Sequence, residues 1–236
     1  MDYLILLSRI VIGALSVFWF KLDQPRHIKL LNAFTGAFLL SLTLLHLLPE
    51  IYSGPSAKTP WLIGTLILVG FYTQIALDAI SKGVEHGHSH PMEGRLPIGI
   101  LAGLCLHALI EAMALGNSAE HHDIQSRKLL LWSIVMHNYP VTIALLGMLL
   151  QSGLRKSVAM RWLALFASMA PLGMLVSAHT SLANHSRELM AIVIGIFMHI
   201  STTILFETEE GHRLHTHKLM AIILGTAMGV TSLFFS

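Results

Sequence analysis

Charged side chains are scarce in this sequence. Asp, Glu, Lys and Arg make up 12% of the 236 residues, whereas 54% of the residues are hydrophobic. A soluble domain carries roughly 25% charged residues, so a folded chain of this composition would expose a largely apolar surface to water. The composition therefore predicts a protein whose solvent is the lipid bilayer. The net charge of +2 and the lack of any Lys/Arg run argue against a nucleic-acid partner.

Cysteine is almost absent. Because Cys105 is the only one, neither an intrachain disulfide nor a cysteine-rich zinc site can form. Histidine is abundant instead, with fifteen residues, as many as Lys and Arg together. Since imidazole is the commonest metal ligand in proteins, the positions of these histidines carry much of the functional information.

Long apolar stretches recur along the whole chain. A membrane-spanning helix needs about 20 mainly apolar residues, and eight stretches meet this requirement with short loops between them. We expect the first to be retained as a helix, since it has no basic leader or small-residue cleavage site. The pattern predicts an all-α integral membrane protein, a bundle of eight transmembrane helices in one domain over residues 1–236. The eight spans are approximately 3–20, 28–51, 60–80, 96–116, 129–150, 159–182, 188–206 and 219–235.

Lys and Arg are distributed unevenly between the loops. Loops after spans one, three, five and seven hold ten of them, and loops after spans two, four and six hold four. By the positive-inside rule, the first set faces the cytoplasm and both termini are extracytoplasmic. We expect a multi-pass protein of the cell (inner) membrane. Arg9 lies within span one near its outer end, and we expect its side chain to snorkel to the interface.

Ionisable residues lie near mid-depth in spans four and five. His107 and Glu111 are four residues apart and so share one helix face. His137 lies at a similar depth in span five. Pro140 leaves the Met136 carbonyl without its helical partner, which predicts a kink. An ionisable group at the bilayer centre costs roughly 2.5–3.5 kcal/mol on insertion scales, so each of these needs a partner or a function.

The three side chains predict a metal site inside the membrane. Two imidazole nitrogens and one carboxylate form a donor set that zinc accepts, with a fourth position left for water or another group. The alternative is that His107 and Glu111 neutralise each other while His137 hydrogen-bonds to a neighbouring helix. Three such groups at one depth favour the metal site.

Other polar residues lie at other depths and suggest a pathway. His46 and Glu50 share a face at the outer end of span two. Span seven places His199 near mid-depth and Glu207 toward the cytoplasm. The alternatives are a hydrated interfacial pair for His46 and Glu50, and interhelical hydrogen bonding for His199.

The loop after span three contains a cluster of histidines on the predicted cytoplasmic side. His86, His88 and His90 could bind metal weakly and receive it after transport. The alternative is an ordinary solvated loop.

Several segments resemble one known family. They are GAFLLSLTLLHLLPE in span two, HALIEAMALG in span four, HNYPVTIALLG in span five, PLGMLVS in span six and GIFMHISTTILFE in span seven. With the histidine-rich loop, they resemble the ZIP family of zinc and iron permeases. The resemblance implies eight helices, external termini and metal movement toward the cytoplasm by alternating access. It also implies that His107, Glu111 and His137 are transport-site ligands.

The sequence departs from the family pattern at two positions. Many members have Asn or Ser directly after the span-four histidine, where this chain has Ala108. Many also have a carboxylate one residue after the span-five proline, where this chain has Val141. Because both positions help to build a second, adjacent metal site in members that have one, we expect a single ion here.

The resulting prediction is a transporter, not an enzyme. The cargo is a divalent ion, zinc in the first place, with Fe²⁺, Mn²⁺, Co²⁺ and Cd²⁺ as other candidates, and no cofactor is expected. The expected partners are the metal ions and the lipid bilayer, and a homodimer is one candidate assembly.

Two other classes remain as alternatives. A membrane-embedded metal-dependent hydrolase would use similar ligands, but it needs a further acid or base, and the sequence offers no spare carboxylate near mid-depth. A cation-diffusion exporter commonly carries a cytoplasmic C-terminal domain, whereas this chain ends in span eight.

Overall fold

The computed structural model describes residues 2–20, 22–53, 60–81, 98–116, 124–206 and 216–232. All regular secondary structure in these ranges is helical. The α-helices are α1 (Asp2–Phe20), α2 (Pro25–Leu42), α3 (Leu48–Ser53), α4 (Pro60–Ser81), α5 (Ile98–Met113), α6 (Ile124–Gln151), α7 (Lys156–Ala178), α8 (Ser186–Phe206) and α9 (Thr216–Thr231).

Six helical segments in these ranges are long and apolar enough to cross a membrane, and α5 is a shorter apolar helix. The six are Asp2–Phe20, Arg26–Ser53, Pro60–Ile80, Arg127–Gln151, Lys156–Ala178 and Ser186–Phe206. The predicted helical, multi-pass membrane protein is therefore confirmed. The number of eight spans and the position of the termini stay predictions.

Predicted span two is not one regular helix. A π-helical turn, Thr43–Leu47, separates α2 from α3, and the Leu48 N–H bonds to the carbonyl of Thr43, five residues earlier. The turn ends two residues before Pro49, which cannot donate to the Leu45 carbonyl. The backbone therefore forms a π turn before the proline. Such turns are frequent at functional sites. His46 lies within this turn.

Two further segments refine the predicted boundaries. Span six ends at Ala178 instead of residue 182, because Ser181–His185 forms a separate 3₁₀ turn before α8. Helix α6 continues through Pro140 to Gln151, so the proline does not end span five.

The helices pack in close pairs: α1 with α6, α2 with α9, α4 with α8 and α5 with α7. Small residues permit the closest approaches, as expected for helices in lipid. A Cβ on Gly195 of α8 would lie 1.9 Å from the carbonyl oxygen of Ile67 on α4. Conversely, a Cβ on Gly70 of α4 would lie 1.9 Å from the Ile192 oxygen. The α4–α8 pair is therefore fixed at backbone contact.

Two clusters of buried apolar side chains form the interior, and α5 and α6 contribute to both. Ala112 and Ile134 belong to one cluster, and Ala108 and Val141 belong to the other. The predicted metal ligands lie on α5 and α6 at the boundary between the two clusters. This position keeps them away from lipid and solvent.

Candidate metal centre

His107, Glu111 and His137 come together as predicted, and all three are buried. Nε2 of His137 lies 3.0 Å from Oε1 of Glu111. Nε2 of His107 lies 3.7 Å from Oε2 of Glu111 and 3.5 Å from Nε2 of His137. No other group of three His, Cys, Asp or Glu residues in the described ranges is arranged to hold a metal ion.

Hydrogen bonds fix which nitrogen of each ring faces the centre. Nδ1 of His107 donates to Oε1 of Gln74 at 2.8 Å, and Nδ1 of His137 donates to the carbonyl of Ser133 at 2.9 Å. Because both partners are oxygens that can only accept, each Nδ1 carries a proton. In the neutral rings, both Nε2 lone pairs therefore point toward the carboxylate of Glu111. The centre is rich in electron pairs and suits a cation.

The spacing of the donor atoms is that of a small tetrahedral ion. Zinc bonds of about 2.0–2.1 Å at tetrahedral angles place donor atoms about 3.3–3.4 Å apart. The three separations of 3.0, 3.5 and 3.7 Å bracket this value. Small side-chain adjustments would thus suffice for three-fold coordination, with a fourth position left for water or another group.

Asn138 is a polar neighbour that sequence reasoning missed. Its Nδ2 donates to Oε2 of Glu111 at 2.8 Å and to Nε2 of His137 at 3.1 Å. The amide therefore orients the carboxylate and contacts the imidazole nitrogen of His137 that faces it. A polar residue next to His137 in an apolar span is the sequence feature that could have indicated this role.

A chain of hydrogen bonds leads away from His107 through α4 to α8. Nε2 of Gln74 donates to Oδ1 of Asp78 at 2.9 Å, and Nε2 of His199 donates to Oδ2 of Asp78 at 2.7 Å. Asp78 thus places a second carboxylate two hydrogen bonds away from His107. Gln74 and Asp78 are four residues apart in span three, the same spacing that marks His107 and Glu111.

Two of the other predicted pathway residues, His46 and Glu50, are described by the structure and are not part of this centre. His46 contacts Ser232 instead, with its Nε2 3.1 Å from the hydroxyl oxygen, and it lies near Glu50 on the same segment. Within the described ranges, neither joins the three-residue group. Glu207 and the loop histidines, His86, His88 and His90, lie outside the described residues.

Arg9 differs from expectation. Its side chain is 1% exposed, so it does not snorkel to an interface. Instead, Nη1 donates to the carbonyl of Ile134 on α6 at 3.1 Å, one helical turn before His137. The close packing of α1 on α6 directs the side chain into the bundle, and tertiary packing of this kind cannot be read from one span.

A family model described as "ZIP Zinc transporter" matches residues 95–234, which is more than half of the chain. The chain belongs to the ZIP zinc transporter family. The matched region contains α5 and α6 and therefore all three candidate ligands. The family model describes zinc transporters and no enzyme, so it gives no support to the hydrolase alternative.

Curated ZIP proteins are similar to this chain at low identity. Zinc transporter ZIP9-B of Xenopus laevis is 26% identical over 184 residues, covering 72% of this chain and 59% of that protein. Zinc transporter ZIP9 of Micropogonias undulatus is 26% identical over 167 residues, covering 66% of this chain and 54% of that protein. The chain spans less than two thirds of the length of the relatives it matches.

Proposed function

We propose that this chain carries a divalent metal ion, zinc in the first place, across the membrane through a site made by His107, Glu111 and His137. The supporting observation is the orientation of the two imidazoles. Each Nδ1 is engaged by an oxygen, so each Nε2 presents its lone pair beside a buried carboxylate. A cation can accept the lone pairs of both Nε2 atoms and the charge of the carboxylate. Neutral histidines with unprotonated Nε2 atoms cannot donate a hydrogen bond to Glu111.

The proposed pathway enters at the π turn and leaves along α4 and α8. His46 and Glu50 would remove part of the hydration shell of the ion on the outer side. On the inner side, Asp78 and His199 would receive the ion after the central site, and Glu207 with His86, His88 and His90 would pass it to the cytoplasm. The ion moves by alternating access, with a group of helices that includes α5 and α6 shifting against the others.

The cargo, direction and stoichiometry belong to the same proposal. Zinc fits the nitrogen and oxygen donors best, and Fe²⁺, Mn²⁺, Co²⁺ and Cd²⁺ share these ligands. One ion binds at a time, since Ala108 and Val141 offer no donor and are buried in apolar surroundings. The chain acts as one transporter domain with eight spans in the cell membrane, alone or as a homodimer, and moves metal inward.

Zinc flux into sealed proteoliposomes tests the site. Glu111→Gln and His107→Ala should abolish saturable uptake, and His137→Ala should reduce it nearly as far. His185→Ala is the matched control, because this histidine is exposed in the turn before α8 and should transport as the wild type does. Equal uptake by wild type and Glu111→Gln would contradict the proposal.

Cysteine labelling tests the orientation. In a Cys105→Ser background the chain has no other thiol, so single cysteines can be placed at will. Thr180→Cys, in the exposed loop after α7, should react with a membrane-impermeant maleimide on intact cells. Ser157→Cys, exposed at the start of α7, should react only after the membrane is opened. The reverse pattern would place the termini in the cytoplasm.

A further inference from the structure

Arg9 is a buried cation that is not one of the proposed ligands of the transport site. It lies inside α1 with 1% of its surface exposed. A guanidinium has five N–H donors, yet only Nη1 has a partner, the carbonyl of Ile134. Nε and Nη2 are buried without a hydrogen-bond partner in the described part of the chain. A single carbonyl is poor compensation for a full positive charge taken out of water.

The compensating negative charge is Glu111, which is itself 0% exposed. Arg9 bonds to α6 at Ile134, one helical turn before His137, and Nε2 of His137 lies 3.0 Å from Oε1 of Glu111. The two buried charges therefore lie on either side of His137. Because water is excluded from both groups, their through-space interaction is stronger than the same pair would have at a surface. Arg9 thus belongs electrostatically to the centre without being one of its ligands.

The packing of α1 on α6 holds Arg9 in this place. Arg9, Gly13 and Ser16 share one helix face. A Cβ on Gly13 would lie 2.8 Å from Cγ2 of Thr142, so a larger residue here would require Thr142 to shift. The hydroxyl of Ser16 lies 2.8 Å from that of Tyr139. Arg9 is therefore delivered to the centre by a fixed helix contact on three successive turns.

We propose that Arg9 is the resident counter-cation of the transport site. With no metal bound, it neutralises the charge of Glu111, so the empty centre is electrically balanced with both imidazoles neutral. When a divalent ion enters, Arg9 repels it. The repulsion weakens binding and speeds release of the ion. This inference rests on the proposed function, since it requires a metal at His107, Glu111 and His137.

Zinc binding and zinc transport by charge-changed variants test the inference. Zn²⁺ affinity is measured on the full chain in nanodiscs, and initial uptake rates are measured in proteoliposomes. Binding at the centre is defined as the zinc binding that the wild type shows and Glu111→Ala does not. Arg9→Met removes the charge, Arg9→Gln removes it but keeps a donor for the Ile134 carbonyl, and Arg9→Lys retains it. Ser16→Ala is the matched control, because it loses an α1–α6 contact and leaves the charge unchanged.

Arg9→Met and Arg9→Gln should bind zinc about tenfold more tightly or better, as expected when one like charge is removed from the surroundings of a divalent ion. Both should show a lower KM together with a lower kcat, since release becomes slow. Arg9→Lys should stay within about threefold of the wild-type Kd, and Ser16→Ala should keep that Kd. A merely structural role would lower kcat with an unchanged or raised KM.

Three results would overturn the inference. The first is a Kd of the neutral variants at or above that of the wild type. The second is an Arg9→Lys variant that follows the neutral variants, since charge would then not be the cause. The third is zinc binding and uptake that Glu111→Ala leaves intact. That result would remove the proposed site itself, and it is distinguishable because it does not involve Arg9.

Discussion

The side-chain oxygen of Gln74 lies 2.8 Å from Nδ1 of His107 and accepts its hydrogen bond. Asp78 orients the amide, because Nε2 of Gln74 donates to Oδ1 of Asp78 at 2.9 Å. The amide oxygen is therefore the atom that faces His107. This contact fixes the ring and leaves Nε2 of His107 available for a metal, as partners of metal-ligating histidines commonly do.

Gln74→Leu should weaken metal binding without unfolding the protein. The substitution keeps the volume and removes the acceptor, so the His107 ring loses its fixed orientation. We expect the KM of zinc uptake to rise about 10- to 100-fold, the usual effect of losing such a partner. Initial rates in proteoliposomes measure it. Thr65→Ala on the same helix is the control, since the Thr65 hydroxyl is exposed and bonds to the Trp61 carbonyl within α4. An unchanged KM in Gln74→Leu would show that the contact does not orient a ligand.

Asp78 and His199 should act as one unit. Their side chains are 2.7 Å apart, and each loses its role if the other is removed. Asp78→Asn and His199→Ala should each slow uptake at saturating zinc, and the double variant should be little slower than either single one. A double-mutant cycle of initial rates measures this coupling. Effects that simply multiply would indicate independent roles.

Zinc uptake should weaken as the external pH falls. Protons compete with the metal for the Nε2 lone pairs of His107 and His137. The KM should therefore rise between about pH 7.5 and 5.5, a range that brackets the ordinary titration of imidazole. Uptake by proteoliposomes at a fixed internal pH measures it, with vesicle leakage as the control. A KM that stays constant over this range would count against ligation by histidine.

Gly195→Ala should destabilise the bundle. The new Cβ would meet the carbonyl oxygen of Ile67 at 1.9 Å, so α8 would have to move away from α4. Overpacking of this kind costs about 1–3 kcal/mol, which should appear as a lower Tm in detergent. Gly64→Ala on α4 is the matched control, because its Cβ would meet only the Tyr52 hydroxyl oxygen at 3.6 Å. Equal melting of the two variants would show that α4 and α8 can separate without cost.

Long apolar stretches in the sequence predicted most of the helices, because a membrane span can be recognised by its length and apolarity. Two irregular turns were not predicted: the π turn before Pro49, which divides span two, and the 3₁₀ turn at Ser181–His185, which shortens span six. Hydropathy records burial in lipid but not the path of the backbone. The irregular turns were therefore out of its reach.

The core of the candidate site was predicted because helix geometry links His107 to Glu111 and depth links both to His137. Their partners were missed, although Gln74 and Asp78 repeat the same spacing one span earlier. Which spans become neighbours is a tertiary fact, and the contact between α4 and α5 is absent from any single stretch. Arg9 was misplaced for the same reason, since its partner Ile134 lies 125 residues away in the chain.

Anomalous diffraction from crystals grown with zinc shows whether His107, Glu111 and His137 hold a metal ion. We expect an anomalous peak between α5 and α6, about 2.0–2.1 Å from Nε2 of His107, from Nε2 of His137 and from a carboxylate oxygen of Glu111. The peak should vanish in Glu111→Ala. Well-ordered side chains with no peak among them would show that these three residues do not bind zinc.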